Sequence, residues 1–308
     1  MKVVFLGTPD FAVPSLLALN CSRHKIVAVV TQPDRPVGRK AVITPSPVKV
    51  IATKLGLKVL QYEKISRDGV SDLKSLNADI MVTCAFGQIL SAEVLNAAKY
   101  GVINVHASLL PKYRGASPIQ AAIINGDIET GVTIMQTEVA LDSGDILAVC
   151  KTKILDNETA DALSGRLSEF GANLLVETLD KIESGKIKGK KQDDNRATFV
   201  KPIKKQDALI NWNDSAKKIK DLVRGMNPWP VAYTFFNGKI MKIFSVKTIA
   251  VDFTLSVGAL KNFNGSMLVG CGDGVLSIEE LQMEGGKKMT AHDFLLGRNI
   301  DGVVLKDG

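Results

Sequence analysis

Near the end of an apolar run, Asn104 and His106 stand two residues apart in the stretch Ile-Asn-Val-His-Ala, residues 103–107. In a strand, alternate side chains leave the same face, so the two groups emerge together, about 7 Å apart. A carboxamide can donate to an oxyanion, and an imidazole can take or release a proton near neutrality. Together they suit a tetrahedral intermediate at a carbonyl carbon. Alone, either residue reads more simply as hydrogen-bonded filling at a strand end. The turn Ala-Leu-Asp-Ser-Gly-Asp offers a third group, Asp142, where backbone donors can hold a carboxylate ionised. Asp145 lies close by, and turn capping is the plainer role for either carboxylate. The other two histidines, His24 and His292, have no chemical neighbours in the sequence and are expected at the surface.

Competing chemistries lack their residues. The stretch FLGTPDF is not the Gly-x-Gly-x-x-Gly turn of a dinucleotide site, and the next apolar run ends in Thr-Gln-Pro instead of an acidic residue for a ribose. No P-loop, Gly-x-Ser-x-Gly elbow or pair of histidines at metal spacing is present. The four cysteines (Cys21, Cys84, Cys150, Cys271) are scattered, which predicts reduced, inert thiols in a cytosolic compartment. Gly7, Pro9, Asp10 and Pro14 interrupt the apolar N-terminus, and no run approaches the ~20 apolar residues of a membrane span. A soluble cytoplasmic protein with a metal-free, carbonyl-handling site is the expectation.

Positioning that site falls to the elements around it. Residues 2–8, 25–32, 78–86 and 101–108 are near-continuous apolar runs, and helical spacing fills 9–20, 48–56, 91–99 and 117–127. Such alternation predicts a parallel sheet with both faces covered, binding its ligand beyond the carboxyl ends of the strands. Residues 131–138 and 145–154 read as a strand pair across the Asp142 turn, and 159–185 as a long closing helix. The stretch 33–47 holds four prolines and reads as loop. Beyond 205 the pattern changes to short alternating strands, with hairpin signals at Asn237-Gly238 and Asp273-Gly274, the mark of a small barrel of the oligonucleotide-binding type. The predicted division is 1–186 catalytic domain, 187–205 basic linker and 206–308 barrel.

The formal charge of +7 is unevenly placed. Residues 1–180 are balanced, with 18 basic and 18 acidic side chains, whereas 181–224 alone hold 13 basic against 6 acidic. A solvated linker accounts for such a run; a phosphate-rich partner is the sharper reading.

With Asn104, His106 and Asp142, the stretches SLLPKYRGASPIQ and GDIETGVTIM resemble the signature of the folate-dependent formyltransferases. FLGTPDFAVPSL, TQPDRPVGR, SPVKV, FGQIL and MNPWP resemble the members that formylate the methionyl group of initiator tRNA for translation initiation. The likeness runs from the first strand to near GGKKM. It implies an α/β, Rossmann-like, mostly parallel N-terminal domain, a linker and an OB-fold-like barrel, with 10-formyltetrahydrofolate as co-substrate and no metal. Asn104 and His106 would polarise the formyl oxygen, while Asp142 would keep His106 protonated and help relay a proton from amine to leaving nitrogen. Ser108, Leu109, Leu110 and Pro111 would line the folate pocket with Phe86, Gly87 and Ile89. Contacts to initiator methionyl-tRNA would come from Arg35, Arg39, Lys40, Lys201, Lys204 and Lys205.

Some positions depart from the family pattern. Lys40 replaces a glycine, Val200-Lys201-Pro202-Ile203 stands where Ala-x-Lys-Ile is usual, and Ala140 and Ser143 replace a glycine and a threonine. Trp229 is expected as packing between domains, and the chain as a monomer with no membrane association or obligate protein partner. Three alternatives remain open: a formyltransferase for a small amine, an inactive RNA-binding protein on the same scaffold, and a nicotinamide dehydrogenase. The basic segment and barrel speak against the first, the Asn104, His106, Asp142 set against the second, and the missing glycine fingerprint against the third.

Overall fold

In a computed structural model, which describes residues 1–38 and 41–306, the apolar runs become strands as their patterning predicts. The chain begins with β1 (Lys2–Gly7), α1 (Val13–Asn20), β2 (Lys25–Thr31), the hairpin β3 (Arg35–Val37) and β4 (Val42–Thr44), α2 (Pro47–Lys54) and β5 (Val59–Gln61). Then follow α3 (Ile65–Asp68), α4 (Val70–Ser75), β6 (Ile80–Cys84), α5 (Ala92–Leu95), β7 (Val102–His106), β8 (Arg114–Gly115) and α6 (Pro118–Ile124). β9 (Glu129–Gln136), β10 (Ile146–Lys153), α7 (Ala160–Glu183) and β11 (Phe199–Val200) complete this part. Seven strands form one sheet in the order β10-β9-β7-β6-β1-β2-β5. The five from β7 to β5 are mutually parallel, and β9 and β10 run antiparallel at one edge.

Two faces of β7 are put to different use. Val105 faces α7, where Gly171 lets the helix approach: a Cβ on that glycine would lie 2.8 Å from Val105 Cγ1. Val102, two and four residues before Asn104 and His106, belongs to an apolar cluster on the opposite face with Met81, Leu73, Val94 and Leu95. The site residues therefore leave the face covered by α4 and α5.

Three local expectations are corrected. The proline-rich loop contains the β3–β4 hairpin, whose Val37, Val42 and Ile43 are exposed; with no buried face it leaves no alternating signature. α5 is four residues instead of nine, and Ser91 at its N-cap makes no side-chain cap bond. His24 is buried, its Nε2 3.2 Å from Asp180, and burial pushes its pKa below the ordinary range; that partner lies 156 residues away in sequence. The thiols of Cys84 and Cys271 are pushed up by burial to about 12, as inert core sulfur requires.

The chain divides into two units: Met1–Pro118, Glu129–Lys153 and Ser164–Val200 form the first, and Ile119–Ile128, Ile154–Leu163 and Lys201–Gly308 the second. The division falls within the stretch read as linker, because residues 190–200 are hydrogen-bonded to the first unit. Lys190 exchanges two backbone bonds with Ile146, and β11 pairs in parallel with β8.

In the second unit, α8 (Ala216–Gly225) precedes β12 (Ala232–Phe236), β13 (Lys239–Ile249), β14 (Leu260–Phe263), β15 (Ser266–Gly270), β16 (Val275–Met283), β17 (Lys288–Thr290) and α9 (Ala291–Leu295). The sheet order is β12-β13-β16-β15-β14, with β17 against β16, and bridges from Phe235 to Lys306 and Ala259 to Val304 draw the last residues across its edges. Asn237 and Gly238 both take positive φ (48° and 76°), as the predicted two-residue hairpin demands. Trp212 is buried, its indole N–H donating to Thr234 Oγ1 at 3.0 Å. Trp229, expected in packing, is 55% exposed. No helix among the described residues is long and apolar enough to cross a membrane.

Candidate active site

Parallel pairing of β6 with β7 sets Thr83 beside Asn104. The Thr83 hydroxyl donates to Asn104 Oδ1 at 2.9 Å, which turns the amide so that its N–H groups remain for an incoming oxyanion. Thr83 is 7% exposed, so Thr83→Val keeps the shape and deletes this bond together with the hydroxyl's longer contact to the Ile103 carbonyl at 3.2 Å. We expect turnover at the site to fall roughly tenfold, a fraction of what losing an oxyanion donor outright costs. Comparing kcat with the thermal midpoint checks this, because a rate loss tracking loss of fold would place the effect elsewhere.

His106 closes the same strand at 5% exposure. Its Nε2 lies 3.0 Å from the Tyr113 carbonyl oxygen; a carbonyl can only accept, so Nε2 carries the hydrogen. Nδ1 is then the nitrogen that exchanges protons. It lies 3.7 Å from Asp142 Oδ2, too far for a hydrogen bond and near enough for strong attraction once the ring is charged. Burial lowers the His106 pKa, against the Asp142 carboxylate and the Tyr113 carbonyl, which raise it. Burial prevails, which holds the pKa below the ordinary imidazole value and favours the neutral ring. An imidazole held protonated by Asp142 was the expectation; in a dry site desolvation outweighs a carboxylate beyond hydrogen-bond distance.

Asp142 arrives from an unexpected direction. Because β9 is antiparallel to β7, it ends at Gln136 opposite Ile103, at the amino end of β7. The connection to β10 must run back along β7 to bring Asp142 to His106 at the other end. Its tight course is marked by Asp142 at φ 48° and by Gly144, where a Cβ would sit 1.9 Å from the Gln136 carbonyl oxygen. Asp142 Oδ2 accepts the Gly115 N–H at 2.8 Å, and the Gln192 amide donates to the carbonyls of Asp142 and Gly144, both at 2.8 Å. Asp145 is represented by its backbone carbonyl, which accepts from Gln136 at the mouth of the loop.

The residues assigned to folate follow β6 and β7. Ser108 is buried and its hydroxyl donates to the Lys112 carbonyl at 2.6 Å; Thr133 donates to the Ser108 carbonyl at 2.7 Å and accepts the Leu110 N–H at 3.2 Å. Leu109, Leu110 and Pro111 continue this corner, with Leu110–Pro111 in cis. After β6, Phe86 is buried, Gly87 takes φ 84° and Ile89 is 89% exposed. Gln88 bonds the Ile65 N–H, the Tyr62 carbonyl and Gln32, tethering that loop to the sheet face.

A cleft of about 510 Å³ opens beside the start of the Asp142 loop, between Leu95, Asn96, Tyr100, Gly101 and residues 136–140. None of the residues assigned to folate lines it. These lining residues were not foreseen, since they gather from three elements.

Of the residues assigned to RNA, Arg35 is exposed in the first unit and bound to Glu63 at 2.6 Å. Lys201, Lys204 and Lys205 are exposed in the second unit, and Arg39 and Lys40 lie outside the described residues.

The structure thus assembles Asn104, His106 and Asp142 and adds partners that spacing could not reveal: Thr83, the Tyr113 carbonyl, the Gly115 amide, Arg114 and Gln192. Thr83 stands out as a lone hydroxyl in an apolar run, and Tyr113, Arg114 and Gly115 lie within the stretch SLLPKYRGASPIQ, whereas Gln192 left no signal.

Comparison with known proteins is in keeping with this geometry. Residues 1–179 match the family model described as formyl transferase, and 202–299 match the formyl transferase C-terminal domain. Over 302 residues the chain is 47% identical to the methionyl-tRNA formyltransferase of Citrifermentans bemidjiense, covering 96% of this chain and 93% of that one. The methionyl-tRNA formyltransferase of Lachnospira eligens is 45% identical, with 99% of each chain covered. Among solved structures, an N-formyltransferase from Helicobacter canadensis in complex with folinic acid and dTDP-3-aminofucose has a TM-score of 0.69 at 21% identity, covering 92% of this chain and all of that one. HypX from Aquifex aeolicus in complex with tetrahydrofolic acid has a TM-score of 0.64 at 16% identity, over 96% of this chain and 47% of that one. These structures share the fold. By the extent of both family matches and the near-complete alignment with its relatives, this chain belongs to the formyltransferase family.

Proposed function

We propose that this protein transfers the formyl group of 10-formyltetrahydrofolate to the amino group of methionyl-initiator tRNA, in the cytoplasm, for translation initiation. The observation that carries this reading is likeness at 41–47% identity, over nearly the whole chain, to proteins named methionyl-tRNA formyltransferase. The co-substrate supplies an activated formyl carbon on a nitrogen leaving group. The first unit, which includes residues 190–200, acts as the catalytic part, and the second, which begins its last segment at Lys201, as the RNA-binding part.

The chemistry follows from the site. The methionyl amine, having lost its ammonium proton to solvent, attacks the formyl carbon and forms the new C–N bond. Asn104 donates to the developing oxyanion, the group whose stabilisation governs the barrier. Neutral His106 takes the surplus amine proton on Nδ1 and becomes an imidazolium facing Asp142. As the intermediate collapses, the bond to the folate nitrogen breaks and His106 returns the proton to that nitrogen. The products are formylated methionyl-tRNA and tetrahydrofolate, and His106 is neutral again. Tyr113 fixes the ring through Nε2, leaving Nδ1 to act twice.

The test is transfer of labelled formyl from 10-formyltetrahydrofolate to charged initiator methionyl-tRNA, with elongator methionyl-tRNA, free methionine and an amino sugar nucleotide as controls. Transfer to the sugar nucleotide alone would overturn the acceptor assignment and keep the formyl chemistry. Exposed cations that meet phosphates without reading sequence release counterions, so KM for tRNA should rise steeply with salt. Replacing Lys201, Lys204 and Lys205 together with alanine should raise KM for tRNA at low salt and flatten the slope of log KM against log salt by roughly 2–3, with kcat little altered. An unchanged slope would remove these lysines from the RNA contact.

A further inference from the structure

The one segment of the first unit that arrives from beyond α7, residues 190–200, reaches the reaction centre from two sides. On one side β11 pairs with β8: Arg114 N–H donates to the Thr198 carbonyl at 2.8 Å, Ala116 N–H to the Val200 carbonyl at 3.2 Å, and Tyr113 N–H to Thr198 Oγ1 at 2.8 Å. Tyr113 is the residue whose carbonyl holds His106 Nε2, and Gly115 the one whose N–H holds the Asp142 carboxylate. The contact between the two short strands is close, because a Cβ on Gly115 would lie 2.2 Å from the Val200 carbonyl oxygen. On the other side, Gln192 holds the backbone of the Asp142 turn.

One side chain joins the two sides. Arg114 is 4% exposed, and its guanidinium donates to Gln192 Oε1 from Nε at 3.1 Å and from Nη2 at 2.9 Å. Nη2 also meets Asp194 at 2.7 Å, and Phe199 lies 5.8 Å from the guanidinium carbon. A buried guanidinium is costly unless its donors are met. Each of these partners belongs to 192–199. Gln192 has all its polar capacity engaged: its oxygen on Arg114, its two N–H groups on the carbonyls of Asp142 and Gly144. The result is a continuous chain, Arg114 to Gln192 to the Asp142 backbone, fixing a carboxylate that stands in a left-handed turn 3.7 Å from His106 Nδ1.

We propose that Arg114 and Gln192 are positioning residues for formyl transfer, holding Asp142 at the distance from which it stabilises the His106 imidazolium. This rests on the proposed catalytic roles of His106 and Asp142. Neither residue touches the reacting atoms, so loss of Gln192 acts through the turn. Gln192→Ala should lower kcat about 10- to 100-fold, with KM for folate and tRNA within about twofold. A loosened Asp142 attracts the imidazolium less, so the titration midpoint of His106 should move to lower pH. In an Asp142→Asn background the same change should do little more, since the group it serves is gone.

The experiment combines the double-mutant cycle in kcat with an NMR titration of the His106 ring in the full chain without substrates, and with thermal midpoints for every variant. The expected result is a non-additive cycle and a downward titration shift in Gln192→Ala. Should that variant fail to fold, Arg114→Lys, which keeps the charge and loses the fork on Gln192, is expected to show the same pair of effects at a smaller size. Additive losses with an unmoved titration, in folded variants, overturn the proposal. If the wild-type chain transfers formyl to no tRNA while the titration shift is present, the positioning role stands and the acceptor reading fails, so the two failures are distinguishable.

Discussion

His106→Ala is expected to lower kcat for formyl transfer about 100- to 10,000-fold, the range over which a positioned acid–base group acts, with KM for the folate little changed. The size follows from two tasks falling on one nitrogen. Nδ1 must remove a proton from the attacking amine and then deliver one to the leaving nitrogen, and a water in the vacated space does neither in a fixed geometry. The variant should also fold, because the ring is held by a single bond to the Tyr113 carbonyl and an alanine leaves a cavity at the sheet surface without breaking a strand. Single-turnover measurement with preformed methionyl-tRNA separates chemistry from product release. Single-turnover transfer within a few-fold of wild type would remove His106 from the proton path and leave another group to carry the proton. Asn104→Ala should cost about 100- to 1,000-fold by loss of the oxyanion donor, and the two losses should not multiply fully, since both act on one transition state.

Much of this site is legible along the chain because a strand imposes its period. Asn104 and His106 had to share a face whichever fold contained β7, and the apolar runs on either side made β7 an interior parallel strand. The succession of strands and helices, and the change to short strands beyond residue 205, follow from the same patterning; the spatial order of the strands does not. What spacing could not supply is distance between elements. Asp142 reaches His106 only because β9 is antiparallel and its connection to β10 doubles back, and nothing local to ALDSGDIL encodes that path. Gln192 lies 50 residues further on, in a stretch whose charge reads as solvated linker; its contact exists because β11 pairs with a two-residue strand too short to leave a pattern. The balance of influences on His106 is hidden for a related reason. A neighbouring carboxylate is visible in a sequence motif, whereas desolvation is a property of everything packed around the ring.

Asp142→Asn should separate those two influences. In the wild-type chain the acid limb of kcat/KM is expected below pH 6.5, the ordinary imidazole value, because burial favours the neutral ring that must accept the amine proton. Asp142 works against burial, raising the pKa. Its carboxamide replacement still accepts the Gly115 N–H but no longer attracts a cation, so the limb should move to lower pH while kcat falls about 100- to 1,000-fold, the imidazolium having lost its counter-charge. A loss of rate without a shift of the limb would assign Asp142 to loop structure alone. Stability carries the same signature with a sign that can be worked out. The folded chain releases the His106 proton more readily than the unfolded chain, so between the lowered folded value and 6.5 the unfolded state binds more protons and stability rises with pH. The contribution is complete above 6.5 and is lost as pH falls through that window. Denaturant unfolding at pH 7.5 and at pH 5.5 should therefore show wild type weaker at the lower pH, the difference larger in Asp142→Asn and smaller in His106→Ala. The opposite order in these two variants would mean that the carboxylate, and not burial, sets the charge of the ring.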